Sequence, residues 1–392
     1  MQLQARLLHT PEGFRDMYDG ECRDEKSAEH KIIKTMHLMG FEDVRTPGLE
    51  YFDVYKKERG TVPGNEMYRF FDADGNTLAL RPDITPGIAR LSARYFADSS
   101  KPLRFCYCEQ TYRNIPGLRG KLKERTQTGV ELIGDDSVLA DADVIITAVK
   151  SLLSVGMKEF QIEVGSAAFL NSLIEPLSLS DEDMVTLRNH IDNKNKFALK
   201  AFLDTKRDRI PKARIDVLTG LTDDFGTLAE IMSMENIKPV TEDDSFYRTY
   251  EALKRLKKID DILGAYGVSD YVTYDLGLIG KLGYYTGIII RGYTYGSGES
   301  IVSGGRYDDL VSQFGKNAPA VGMAINMDLL IEALRKSGIN PHKPGKLIHI
   351  ITPPDRMQDA VKLRSDFMEK EKASDIIIDE NAVSIRTEEE DQ

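Results

Sequence analysis

The chain has 392 residues, a formal net charge of −11 and 41% apolar residues, the make-up of an ordinary soluble globular protein of about two domains. Its acidic balance excludes broad, non-specific nucleic-acid binding, which rests on many Lys and Arg contacts to phosphate. No apolar run approaches the roughly 20 residues that span a bilayer. The start also lacks a basic region followed by a hydrophobic core, so a cytoplasmic location is expected. Cys22, Cys106 and Cys108 form no CxxC pair. Reduced packing cysteines are expected, with neither a disulfide framework nor a metal site. None of the six histidines falls in a polar cluster of the sequence, which argues against imidazole catalysis.

From Cys22 to Met39, Ala28, Ile32, Ile33, Met36 and Met39 recur at helical spacing, and Gly40 closes the run. The segment from Phe41 to Tyr55 reads as a strand that breaks at Pro47. Asp74-Gly75 then marks a hairpin turn between two alternating strands. The second of these ends in Arg81-Pro82-Asp83-Ile84-Thr85 before a helix from about Gly87 to Phe96. Pro82 supplies no ladder amide, so the strand stops or lies at an edge there. Asp83 and Thr85 suit either a helix cap or a bound ammonium group.

Leu103 to Gly134 reads as two strands joined by a cationic loop. Phe105, Tyr107 and Glu109 alternate with Cys106, Cys108 and Gln110 on the first strand. Turn formers in the loop are interleaved with Arg113, Arg119, Lys121, Lys123 and Arg125. In an acidic chain this local excess fits either a solvated hairpin tip or an anionic ligand, since guanidinium groups fork onto carboxylate and phosphate. On the second strand Gln127, Gly129 and Glu131 share one face, a polar row that needs water or a ligand to satisfy it.

A helix follows from Asp141 to Val155, then a strand at Glu159–Gly165. From about residue 178 to 262 charge rises and helical periods dominate, which predicts a helical insertion with a solvated cationic face. Strands return around Gly283-Tyr284-Tyr285-Thr286-Gly287, and Ser303–Leu310 sets Arg306 and Tyr307 at a tight corner. Ala320–Leu334 reads as a buried strand entering a helix. Beyond the Lys343-Pro344-Gly345 linker, residues 345–392 alternate strand and helix as a small α/β module, with the run from Thr387 to Gln392 expected to be a solvated tail.

Taken in order, Arg81-Pro82-Asp83, the cationic hairpin, the Tyr284-Tyr285 motif and Ser303–Asp308 resemble the histidyl-tRNA synthetase family over most of residues 9–330. The hairpin is similar to motif 2 of class II synthetases, and the early helix and strand to motif 1, which builds a self-dimer in that class. The resemblance implies an α+β fold. Residues 1–335 would form a class II aminoacyl-tRNA synthetase-like antiparallel sheet with flanking helices and the helical insertion. It carries over as histidine-binding residues Asp83, Thr85, Arg113, Gln127, Glu131, Tyr285 and Tyr307, with Asp83 standing where that family has a longer Glu.

Two departures bear on activity. Gly280 takes the place of an arginine that precedes the tyrosine pair in the synthetases, and Leu329 takes that of the motif 3 arginine. Ile115 and Pro116 likewise replace a charged pair of motif 2. One preorganised charge is worth about 3 to 4 kcal/mol at a transition state, so two missing arginines imply adenylation slowed by about 10⁴ to 10⁶. Residues 345–392 are also shorter than the family's anticodon-binding domain, which makes tRNA binding unexpected.

A synthetase-like fold with an amino-acid pocket but without ligation chemistry is similar to the regulatory-subunit family of ATP phosphoribosyltransferase, whose wording the Arg81–Thr85, Tyr284–Gly287 and Ser303–Asp308 motifs fit better. That implies a non-catalytic protein without cofactors, paired with a short-form catalytic subunit as a hetero-octamer. Such a complex performs the first step of histidine biosynthesis and passes on feedback inhibition by histidine. The alternatives are a divergent histidyl-tRNA synthetase-like amino-acid ligase, in which Lys281, Arg291 or Arg306 replaces the missing arginines, and a ligand-free scaffold in which Glu131 pairs with Arg113.

Overall fold

The computed structural model describes residues 7–56, 62–115, 121–280, 285–342 and 345–391. It divides into two units, one made of the chain up to Asp16 together with Ala28–Ile339, the other of Met17–Ser27 and the chain from Asn340.

The helix Asp19–Leu38, which belongs to the first unit from Ala28 onward, buries Ala28, Ile32 and Met36, the stripe that its 3–4 spacing dictates. Gly40, at φ 80°, ends it in the left-handed conformation that glycine adopts at no steric cost. The stretch around Pro47 forms two strands that part company. β1 (Glu42–Asp43) pairs with the large sheet, and β2 (Leu49–Tyr51) joins β3 (Arg69–Phe71) and β4 (Thr77–Leu80) in a separate sheet ordered β2-β4-β3. The following helix begins at Thr85 and ends at Tyr95.

The large sheet takes in β5 (Leu103–Tyr112), β6 (Glu124–Ile133), β7 (Phe160–Ser166), β8 (Phe225–Gly226), β9 (Val272–Asp275), β10 (Ile288–Thr294), β11 (Val302–Arg306) and β12 (Ala320–Asn326). Its order is β1-β5-β6-β12-β11-β10-β7-β9-β8. The six strands from β5 to β7 are antiparallel throughout, and parallel pairing occurs at β1–β5 and β7–β9. One face of the sheet is covered by the helix Val138–Ser154, whose Ala142, Ile145, Ile146 and Val149 are fully buried. The other face carries the polar row from β6.

Between Ser178 and Lys258 the chain is helical, with helices at Asp181–Asp192, Lys196–Asp204, Lys212–Gly220 and Tyr247–Ala265. Strands do not vanish there completely, however: β8 pairs with β9 and caps the sheet edge. Two residues are too few to leave a period-2 signal.

The second unit contains β13 (Lys346–Thr352), the helix Met357–Glu369, β14 (Ser374–Ile378) and β15 (Arg386–Asp391), ordered β14-β13-β15. β14 runs parallel to β13 through the helical crossover, while β15 is antiparallel to it. The acidic run read as a solvated tail is therefore part of a strand that begins at Arg386. Four consecutive acids carry poor strand propensity, but β13 places Lys346 and His349 against Glu389 and Glu390. Cross-strand charge pairing overrides local preference here.

Candidate functional site

All seven sequence-predicted binding residues, Asp83, Thr85, Arg113, Gln127, Glu131, Tyr285 and Tyr307, line one cavity over the middle of the large sheet. It takes in about 440 Å³ of non-atom space including its open mouth. Its floor is where strand register replaces side chains with glycine. Glu131 of β6 stands across from Gly322 of β12, and Gly129 across from Ala324. A Cβ on Gly129 would lie 2.4 Å from the Met323 carbonyl and 2.6 Å from the Tyr107 hydroxyl, so no side chain fits.

Glu131 is the centre of the cavity. It is 2% exposed, accepts a hydrogen bond from Thr85 Oγ1 at 2.6 Å and accepts another from the Tyr307 hydroxyl. Burial pushes its carboxyl up to about 8, against the two hydroxyl donors, which favour the charged form; nearby Asp83 adds to the rise. Desolvation outweighs hydrogen bonding because both donors are neutral. Burial and the Glu131 charge likewise raise the Tyr107 and Tyr307 hydroxyls well above the ordinary tyrosine range. The centre thus offers an acid, two phenols and a threonine, a set suited to a ligand that brings its own donors.

The rim is differently charged. Arg113 follows the last residue of β5, is tied to Lys123 through its backbone N–H at 2.7 Å, and donates from Nε to the Pro82 carbonyl at 3.4 Å. Gln127 Oε1 is buried without a hydrogen-bond partner among the described residues, the kind of orphan that a bound donor would satisfy. Asp83 Oδ1 accepts from the backbone N–H of Ile84 at 2.7 Å and of Thr85 at 3.4 Å. It therefore holds the helix start while also lining the cavity, and the two readings of Asp83 coexist.

A second cavity adjoins the first. It is lined by Thr111, Arg113, Arg125, Arg291, Glu299 and Asn326 among others, and shares Arg113, Gln127, Tyr285, Ser303, Gly304 and Ala324 with its neighbour. Gly280 and Leu329 both face it, so the two positions where an arginine is missing open on the same space. The substitutes considered from sequence differ in fate. Arg306 is 3% exposed and bound to Asp141 and Asp308, which removes it from the cavity altogether. Arg291 does line it, with one Nη donating to the Ile279 carbonyl, and Lys281 lies outside the described residues, as do Leu282–Tyr284, Pro116–Gly120, Lys343, Pro344 and Gln392.

Glu131 is not paired with Arg113 as the scaffold reading required, because its oxygens are taken up by Thr85 and Tyr307. Sequence reasoning missed Tyr107, Ser303, Gly304, Gly322, Met323 and Ala324 as lining residues. The Tyr107 alternation with Cys106 was a usable signal; the others depended on which strand neighbours β6. The view of the histidines also needs correction. His349 lies between Asp375 at 2.7 Å and Glu390 at 2.8 Å, and His37 pairs with Asp43 at 3.1 Å, where Cys106 also bonds. Both clusters assemble across elements, with Cys106, Asp375 and Glu390 all distant in sequence from the histidine of their cluster. The three cysteines are free thiols, and among the described residues no helix is long and apolar enough to cross a membrane.

A family model described as Histidyl-tRNA synthetase matches residues 13–330. An ATP phosphoribosyltransferase regulatory subunit from Clostridium acetobutylicum is 40% identical over 326 residues, 83% of this chain and 79% of that protein. One from Clostridium kluyveri is 37% identical over 362 residues, covering 92% of this chain and 91% of the relative. Among solved structures, an ATP phosphoribosyltransferase regulatory subunit/histidyl-tRNA synthetase from Bacillus halodurans superposes with a TM-score of 0.82 at 28% identity, over 96% of this chain and 94% of that one. A histidyl-tRNA synthetase from Nostoc, 21% identical, shares the fold with a TM-score of 0.80 over 96% of this chain and 87% of its own.

Proposed function

This chain belongs to the histidyl-tRNA synthetase family, among relatives named ATP phosphoribosyltransferase regulatory subunit, and from that premise we propose that its cavity is a histidine sensor rather than an activating site. It serves histidine biosynthesis as the regulatory subunit of ATP phosphoribosyltransferase, with a catalytic subunit as its partner. The reading that the cavity senses histidine rests on one observation. A buried acid, Glu131, sits among Thr85, Tyr307, Gln127 and Arg113, while the adjoining space presents Gly280 and Leu329.

On this reading Asp83 receives the ligand ammonium, Arg113 its carboxylate, and Glu131 and Gln127 with Tyr285 and Tyr307 its imidazole. Such contacts bind a ground state, and binding alone accelerates nothing. Adenylate formation needs cations where phosphate charge develops, so ligase activity is absent in this proposal. No cofactor takes part, and tRNA is not a ligand. The catalytic partner is a short-form subunit, the assembly a hetero-octamer in the cytoplasm, and the early helix with β1 and β2 forms the self-dimer face. Histidine in the cavity biases contacts to the catalytic subunit with a coupling of about 1 to 3 kcal/mol and so conveys feedback inhibition. Residues 1–335 carry the sensor and 345–392 form a separate module.

The test is reconstitution. Alone, the chain forms no phosphoribosyl-ATP; mixed with the catalytic subunit it raises the rate and makes it histidine-sensitive. A catalytic subunit equally active and equally inhibited without this chain defeats the proposal. Arg113, Arg125 and Arg291 in the adjoining cavity favour one rival, the amino-acid ligase. Histidine-dependent exchange of pyrophosphate into ATP by this chain alone would establish it.

A further inference from the structure

The adjoining cavity keeps three arginines, Arg113, Arg125 and Arg291, yet its wall also contains Glu299. That residue lies in the loop between β10 and β11, and the loop is fastened at several points. Lys336 Nζ donates to the Gly296 carbonyl at 2.8 Å, Ser297 Oγ to the Glu299 carbonyl at 2.7 Å, and the Ile301 backbone N–H to the Gly292 carbonyl at 2.8 Å. These bonds fix the backbone on either side of Glu299. Its Oε1 is 2.7 Å from Lys121 Nζ, and its Oε2 is 4.0 Å from Arg125 Nη1. One cation stands by each oxygen, as around a bound phosphate.

We propose that Glu299 is a resident counter-anion that sets the specificity of this cavity, excluding phosphate-bearing ligands and leaving the site to an amino acid alone. The idea rests on reading the neighbouring cavity as an amino-acid site. A di- or triphosphate entering here must either break the Glu299 carboxylate away from Lys121 and Arg125 or lie beside it with like charge. Either alternative disfavours a phosphate relative to a ligand that leaves the Glu299 pairs intact. Discrimination by a built-in repulsive group needs no change in the amino-acid contacts. The missing arginines at Gly280 and Leu329 remove attraction for phosphate, and Glu299 adds repulsion against it. The ion pairs of Glu299 are half-exposed, where such pairs contribute little to folding, so the acid can be neutralised without unfolding the chain.

The probe is inorganic pyrophosphate, titrated calorimetrically into the full chain at low ionic strength. Glu299→Gln should bind it at least about tenfold more tightly than the parent protein, with an affinity that falls as salt is added. Glu175→Gln, which removes the same charge at an exposed pair with Arg248, serves as control and should leave pyrophosphate affinity where it was. Equal affinity in Glu299→Gln and the parent, or an equal gain in the Glu175 control, overturns the proposal. Histidine titrated into the parent protein is read separately. Its failure to bind would count against the amino-acid reading, while the pyrophosphate ratio still decides the role of Glu299.

Discussion

Gly322 stands opposite Glu131 in the β12–β6 register, and a Cβ built on it would come within 1.8 Å of Glu131 Oε2. The glycine is what leaves room for the carboxylate to lie flat on the sheet under Tyr307. Gly322→Ala should therefore push Glu131 toward the ligand space or force the strands apart. Overpacking of this kind costs about 1 to 3 kcal/mol. The expected result is a folded protein with a lowered Tm and histidine affinity reduced at least about tenfold, measured by thermal unfolding and calorimetry.

Truncating the acid itself gives a cleaner loss. Glu131→Ala should weaken histidine binding by about 2 to 4 kcal/mol, the worth of a charged hydrogen bond to a buried ligand. Assembly with the catalytic subunit should persist. A mutant complex that keeps full histidine sensitivity would remove Glu131 from the site.

The protonation of Glu131 makes a further prediction with a definite sign. Its carboxyl is raised from 4.5 to about 8 in the folded protein, so the folded state holds a proton that the unfolded chain has already released. Stability of the ligand-free protein should accordingly fall as pH rises from about 4.5 to about 8, and level off beyond. Glu131→Gln should flatten that slope in chemical denaturation. A ligand that donates to the ionised carboxylate reverses the preference. Histidine affinity should then increase toward pH 8, with proton release visible as a calorimetric heat that depends on the buffer.

Asp141 is expected to be the most sensitive polar position outside the cavity. It is 0% exposed and bridges Arg306 and Arg255, each at 2.7 Å. Asp141→Ala would leave the 3% exposed Arg306 with only Asp308 as an acidic partner among the described residues. Breaking a buried pair from one side costs about 3 to 5 kcal/mol, read as a large drop in denaturation midpoint. A change under 1 kcal/mol, the order of an exposed pair, would contradict this.

In the second unit, β15 is fastened by His349, which bonds Asp375 through Nδ1 and Glu390 through Nε2. Both nitrogens can donate only in the imidazolium, and the two carboxylates raise the pKa of His349 above its ordinary 6.5. Its contribution is complete below 6.5 and disappears as pH rises through the raised value. Amide exchange in Arg386–Glu390 should become faster across that interval, beyond the intrinsic acceleration by base. His349→Ala should remove the extra step. An identical profile in parent and mutant would show that the imidazolium does not fasten the strand.

The seven cavity residues were legible through the resemblance to the histidyl-tRNA synthetase family, because the motifs that carry it are local. Alternation on β6 set Gln127, Gly129 and Glu131 on one face, and a proline stopped the strand just before Asp83. What surrounds them was not legible. Gly322, Ala324, Ser303 and Gly304 reach the cavity through pairings between strands far apart in the chain, and no period within a segment encodes its neighbour. The acidic β15 is the same lesson in reverse. Its own residues disfavour a strand, and Lys346 and His349 on a partner supply the compensation.

By itself, then, the order of residues determined the longer elements other than β15, the family-like motifs and the absence of arginine at positions 280 and 329, since each depends on identity and short-range spacing alone. Only the tertiary structure decided that Gly280 and Leu329 open on one space, that Arg306 is consumed by Asp141, and that Glu131 is buried deeply enough to hold its proton. Those outcomes follow from burial and strand register, and both are properties of the packed sheet rather than of any segment within it.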